Sequence, residues 1–259
     1  MGSLKVIPQN EDIINTILAE IDIKNKTTDY GNYLVVFPNR RPAHFLRKRI
    51  SEAIKTSFIP PLILSIDDLI DHIYPFRYKH RSIDTIDAIK ILFDIQKETA
   101  KIGREHFLTL DQFLPIGIRL FNDLEELHIE KINPQTLQMK LIDDFNNNDI
   151  QNTLQNRLQP MSVFYSEFHK RLNDLGLSTR SSRYVAVSDD LNKDFFKRFK
   201  RVFFAGFYAL TRSERDLFTK LDNLENVMFI YQCGEGLDTQ LSKLGKNIQT
   251  EKTTTGTGI

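Results

Sequence analysis

Arg40, Arg41, His44, Arg47, Lys48, Arg49 and Lys55 crowd into one short stretch of the chain. On a helix, residues three and four apart are neighbours, so Arg40, His44, Arg47 and Lys48 can share one face. Cations gathered in this way can meet the phosphates of a nucleic acid, with Asn39 at the preceding turn beside the backbone. They can equally form a solvated charged face. A second basic run, Lys193, Lys197, Arg198, Lys200 and Arg201, reads as a solvated helix end.

Other chemistries lack their parts. A P-loop needs closely spaced glycines followed by Lys and Ser or Thr. Gly245-Lys246 is followed by Asn247, and position 240 is Gln where the first glycine belongs. The tip of the strand ending at Ala205-Gly206 offers no acid to hold magnesium, so ATP hydrolysis has no seat in these residues. The six histidines show neither HxH nor HExxH spacing. Asp67, Asp68, Asp71 and His72 cluster, but acids at a helix start answer the macrodipole. Asp22-Ile23-Lys24 matches half of a restriction-type nuclease motif without the Pro-Asp strand end that should precede it. No catalytic residue is assigned, and no metal or cofactor is expected within this chain.

These residues need elements to position them. Tyr33–Phe37 is apolar on both faces, as strands buried in a parallel sheet are, and Pro38 ends it. A helix is predicted from about Ala43 to Ile54, with Leu46, Ile50 and Ala53 inward. Leu62–Leu64 is the next strand, and Ser65-Ile66-Asp67-Asp68 opens a helix with a cap. Val202–Phe207 and Val227–Tyr231 are two further strands, joined by a helix that the Thr211–Glu214 capping box begins. Between about 82 and 178 the pattern is helical. Its stripes run through Ile86, Ile89 and Leu92, through Phe113, Leu120 and Leu124, and through Met161, Phe164 and Phe168 after Pro160. Asp143 to Asn152 reads as a polar loop, and 251–259 as a disordered tail.

The predicted organisation is an α/β domain over 1–81 and 179–250, interrupted by an all-helical insertion over 82–178. Hydrophobic residues at 41% and charged ones at 27% suit a globular chain of 259 residues. A formal charge of +1 excludes a whole-molecule basic footprint, so any contact with nucleic acid must be local. No apolar run is long enough to span a bilayer, so no membrane partner is expected. The single cysteine, Cys233, and the lack of a signal sequence suggest a cytoplasmic protein.

Leu34-Val-Val-Phe-Pro-Asn-Arg-Arg-Pro-Ala-His-Phe-Leu-Arg-Lys-Arg-Ile50 resembles the strand, Pro-Thr-Arg-Arg turn and helix near the start of AddB-type proteins. These are the helicase-like nuclease subunits of bacterial double-strand-break repair. The segment also resembles the motif after the P-loop of UvrD-like helicases, where the turn and helix start touch single-stranded DNA. Pro60-Pro61-Leu62-Ile63-Leu64-Ser65-Ile66-Asp67-Asp68 resembles the next family element, and Val202–Glu214 its Gly-Phe then Thr-Pro-x-Glu segment. The insertion, with Asp111-Gln112-Phe113 and the acidic run Asp123 to Glu126, is similar to the Bacteroidetes version. The likeness follows element order over most of residues 30 to 235.

The resemblance implies a RecA-like α/β fold of the UvrD helicase type, a parallel sheet with helices on both faces. Ala205, where some relatives keep Asp, and the missing P-loop imply lost ATP turnover. Relatives are several times longer and carry a PD-(D/E)xK nuclease (exonuclease) domain near the C-terminus. The chain therefore reads as an N-terminal fragment, with Mg2+ expected only for a nuclease domain outside it. The expected role is a scaffold contacting single-stranded DNA, DNA ends or a helicase partner subunit. Asn39, Arg40, Arg41, His44, Arg47 and Lys48 are its expected contacts. The alternative is a helical protein-interaction module without DNA binding, offering stripes of the Phe113 or Phe164 type.

Overall fold

The computed structural model describes residues 2–21, 23, 29–98, 108–133 and 148–243. Among these, the strands in chain order are Ser3–Ile7 (β1), Tyr33–Phe37 (β2), Leu62–Ser65 (β3), Arg81–Ser82 (β4), Leu177–Ser178 (β5), Arg201–Ala205 (β6) and Val227–Gln232 (β7). The helices begin with Ile13–Glu20 (α1), Arg40–Ile54 (α2), Ile66–Ile73 (α3), Thr85–Glu98 (α4) and Leu110–Ile129 (α5). They continue with Asn148–Asp174 (α6), Arg180–Asp189 (α7), Lys193–Lys197 (α8), Arg212–Leu221 (α9) and Leu237–Lys243 (α10). The chain divides into two compact units. One is Met1–Leu69, Lys193–Leu210 and Phe218–Ile259, and the other is Ile70–Asn192 with Thr211–Leu217. Residues 70–81, 179–192 and 211–217, assigned to the sheet domain from sequence, thus group with the helical unit. Among the described residues, no helix is long and apolar enough to cross a membrane.

In the first unit five strands pair in the order β1-β7-β6-β2-β3, all parallel. β2 lies inside the sheet between β6 and β3, and each of its five residues is buried, which is why its sequence is apolar without alternation. On one face Val35, Phe37, Ile63, Phe203 and Ile230 meet Ile14 and Ile17 of α1 and Ala43, Leu46 and Ile50 of α2. On the other, Phe204 and Phe229 pack their rings on Phe218 of α9 at centroid distances of 5.0 and 5.2 Å. With helices on both faces, the fold is a doubly covered α/β sheet. The four predicted strands all lie in it, although β6 ends at Ala205 and leaves Gly206 and Phe207 in the turn that follows. The fifth, β1, was not foreseen: Ser3-Leu4-Lys5-Val6-Ile7 is an edge strand, mostly half-exposed, and its lysine breaks the apolar run.

In the second unit α4, α5 and α6 enclose a separate core of Ile89, Leu92, Phe113, Leu124, Phe164 and Phe168. Phe113 and Phe164 keep 0% and 1% of their surface exposed, so they hold this core together and offer no stripe to a partner. β4 and β5, two residues each, are the only strands of this unit among the described residues. The predicted polar loop from Asp143 to Asn152 is corrected from position 148 onward, where α6 has already begun, while 143–147 lie outside the described residues. Pro160 lies within α6 rather than at its start. Gly176 closes the segment as predicted, with φ at +63°. The tail at 251–259, Gly245-Lys246-Asn247, and Asp22 and Lys24 of the Asp22-Ile23-Lys24 motif lie outside the described residues.

Candidate nucleic-acid interface

The strand order reverses between β2 and β6. From β2 the chain steps outward to β3, whereas from β6 it steps the other way to β7. In open parallel sheets, ligands take the crevice beyond the carboxyl ends of the strands at such a switch point. Asn39–Arg41 follows β2 at this edge, and Gly206, with φ at +78°, turns the chain after β6.

α2 starts earlier than predicted, at Arg40, because Asn39 caps it. The Asn39 side chain accepts from the Arg41 N–H at 3.1 Å. Pro42 fits because the first turn needs no intrahelical N–H. Ala43, Leu46 and Ile50 form the buried stripe and turn the rest of the helix outward, Ala53 included, although the sequence pattern places it inward. Arg40, Arg41, His44, Phe45, Arg47, Lys48 and Arg49 are all exposed.

The expected contacts fall into two groups. Arg40 and Arg47 have turned toward β3 and α3. Arg40 grips Asp68 with Nε on Oδ2 at 3.1 Å and Nη2 on Oδ1 at 2.6 Å. Arg47 donates from Nη2 to the Ile63 carbonyl at 2.8 Å. Arg41, His44 and Lys48 face solvent instead. The side chains of Arg41 and His44 make no hydrogen bond or ion pair among the described residues, and Lys48 stands 3.9 Å from Glu52. Arg49 stands 3.9 Å from Asp12.

Asp68 holds two helix starts together. Its Oδ2 accepts from Ser65 Oγ at 2.6 Å, and its own N–H donates back to that hydroxyl at 3.2 Å. This is the cap read from Ser65 and Asp68 in sequence. The Arg40 guanidinium holds the Asp68 carboxyl at a pKa of about 2, outweighing the upward push from burial, and the Ser65 hydroxyl adds a smaller downward pull. The bond to Arg40 spans 28 positions, and nothing local announces it. Phe45 was missed too, although its place outside the Ala43, Leu46 and Ile50 stripe was visible in the helical pattern.

The start of α1 is also occupied. After β1, Asp12 caps this helix, its carboxylate accepting from the Ile14 N–H at 2.8 Å. A phosphate seated there would meet the charge of Asp12 and of its neighbour Glu11. The second basic run is engaged internally. Arg198 lies over the rings of Phe195 and Phe199, Lys197 pairs with Asp194 at 2.8 Å, and Arg201 pairs with Glu20 at 3.1 Å. A cavity of about 370 Å³ lined by Ala19, Glu20, Tyr33, Lys200 and Arg201 sits at the opposite, amino edge of the sheet. Glu20 there answers both Lys5 and Arg201. No family model matches the chain, and no curated protein matches it.

Proposed function

We propose that this chain is a helicase-derived scaffold that guides single-stranded DNA across the carboxyl edge of its sheet. The parent would be an AddB-type DNA repair and recombination protein, with a magnesium-dependent nuclease domain in another part of it. The reading is carried by one observation. Arg41, His44 and Lys48 stand solvent-exposed on the helix that opens directly from β2, beside the point where strand order reverses. The finer fold reading, a RecA-like core of the UvrD type, belongs to this proposal. It is supported by the order of elements around that edge. A basic turn follows β2, a Pro-Pro lead enters β3, an acidic cap opens α3, and Gly206-Phe207 follows β6. ATP turnover has no part in the role, since the turn after β1 carries Glu11 and Asp12 in place of a glycine cradle.

The test is the salt dependence of binding to short single-stranded oligonucleotides. Arg41, Lys48 and Arg49 as three phosphate contacts give a log–log slope of about −2, at about −0.7 per contact. Replacing Arg41 and Lys48 with Ala brings it to about −0.7 and weakens unrelated sequences alike. Lys197→Ala with Arg198→Ala leaves the slope unchanged. Equal weakening by the two double variants, or no binding at low salt, refutes the proposal.

A further inference from the structure

Phe45 is out of place on α2. The helix buries Ala43, Leu46 and Ile50, yet Phe45 keeps 56% of its surface exposed on the charged side. Its ring meets no other ring and no cation among the described residues. Arg41 lies one turn before it and Lys48 and Arg49 one turn after, at the spacings that make side chains neighbours on a helix. Glu52 and Asp12 each stand 3.9 Å from one of these cations, which leaves the ridge around the ring net positive. An exposed aromatic ring between cations has a defined use. A π-face stacks on an unpaired base whatever its identity, while the flanking charges hold the phosphates on either side.

Resting on the single-stranded DNA reading above, we infer that Phe45 is a stacking platform for an unpaired base, with Arg41, Lys48 and Arg49 flanking it. The substrate class is then a single-stranded polynucleotide rather than a duplex, because bases inside a duplex already spend both faces on each other. Base identity has little influence, since every base offers a π-face. The charge of the ridge selects this occupant over an apolar protein surface, which would have to desolvate Arg41, Lys48 and Arg49 without a counter-charge.

Stacking and charge have different signatures, so the full chain can separate them with an oligothymidylate and a duplex as probes. Phe45→Leu keeps the apolar bulk and loses the π-face. Its affinity for the single strand falls about tenfold, and that of Phe45→Ala by about the same factor. The salt slope stays near −2 in both, because no phosphate contact is removed. Phe45→Trp retains or tightens binding, and duplex affinity is unchanged throughout. The inference is overturned if Phe45→Leu binds as the wild type does, if the slope flattens with the affinity, or if duplex binding falls in parallel. Absence of any wild-type binding overturns both this inference and the reading beneath it. Single-strand binding that ignores Phe45 while responding to Arg41 and Lys48 overturns this inference alone.

Discussion

Acidification from pH 7 to pH 5 destabilises the helical unit through two imidazoles removed from water. His128 of α5 and His169 of α6 stack with ring centroids 3.9 Å apart. His128 Nδ1 lies 2.7 Å from the Tyr165 hydroxyl, and His169 Nε2 is buried with no hydrogen-bond partner among the described residues. Burial pushes the His128 pKa down to about 4, with Asp189 pulling it up and Lys131 pushing it further down. Burial, then the neighbouring His128, pushes His169 to about 3. Both rings therefore stay neutral in the fold at pH 5, while the unfolded chain, with imidazoles near 6.5, binds protons. Stability is complete above the unfolded value and falls as pH drops below it. At pH 5 the gap of about 1.5 pH units amounts to about 2 kcal/mol per imidazole and about 4 kcal/mol for the pair. Urea unfolding of wild type and His169→Phe at both pH values isolates half of this, since other titrating groups cancel in the difference. The loss between pH 7 and pH 5 should be about 2 kcal/mol smaller in the variant. An identical loss in both proteins, or native-state protonation of His169 above pH 6 by NMR, refutes the reasoning.

Gly117 lies inside α5, where a Cβ would stand 2.7 Å from Ile89 Cγ2 and 2.8 Å from Phe113 Cε1. Gly117→Ala gains about 1 kcal/mol of helix propensity against about 1–3 kcal/mol of overpacking, so thermal melts should show a net loss near 1 kcal/mol. Asp68→Asn removes the charge that holds Arg40 yet leaves an oxygen for Ser65. With Arg40 75% exposed, stability should fall by only about 0.5–1 kcal/mol. Released toward phosphate, Arg40 should steepen the single-strand salt slope by about 0.7, a gain that Arg40→Ala in the same background abolishes.

Much of this molecule was legible before its structure because local physics decides it. β2, β6 and β7 are buried strands that read as unbroken apolar runs, and that burial follows from the covered faces of a parallel sheet. The caps at Ser65 and Asp68 and at Thr211 and Glu214 pair residues three apart, so their spacing was visible in the chain. The basic character of α2 was equally plain. Which of its cations face solvent was not. Arg40 is claimed by Asp68 and Arg47 by the Ile63 carbonyl, partners supplied by a neighbouring strand and the helix that follows it. Strand order, and with it the reversal between β2 and β6, depends on pairing across more than 160 positions, and no local pattern encodes it. β1 escaped notice because an edge strand buries too little to need an apolar signature. Phe113 and Phe164 read as apolar helical stripes that could face either a core or a partner, and only the packing of α4, α5 and α6 around them decides for the core. Periodicity says which side of a helix is apolar, and only packing says what covers it.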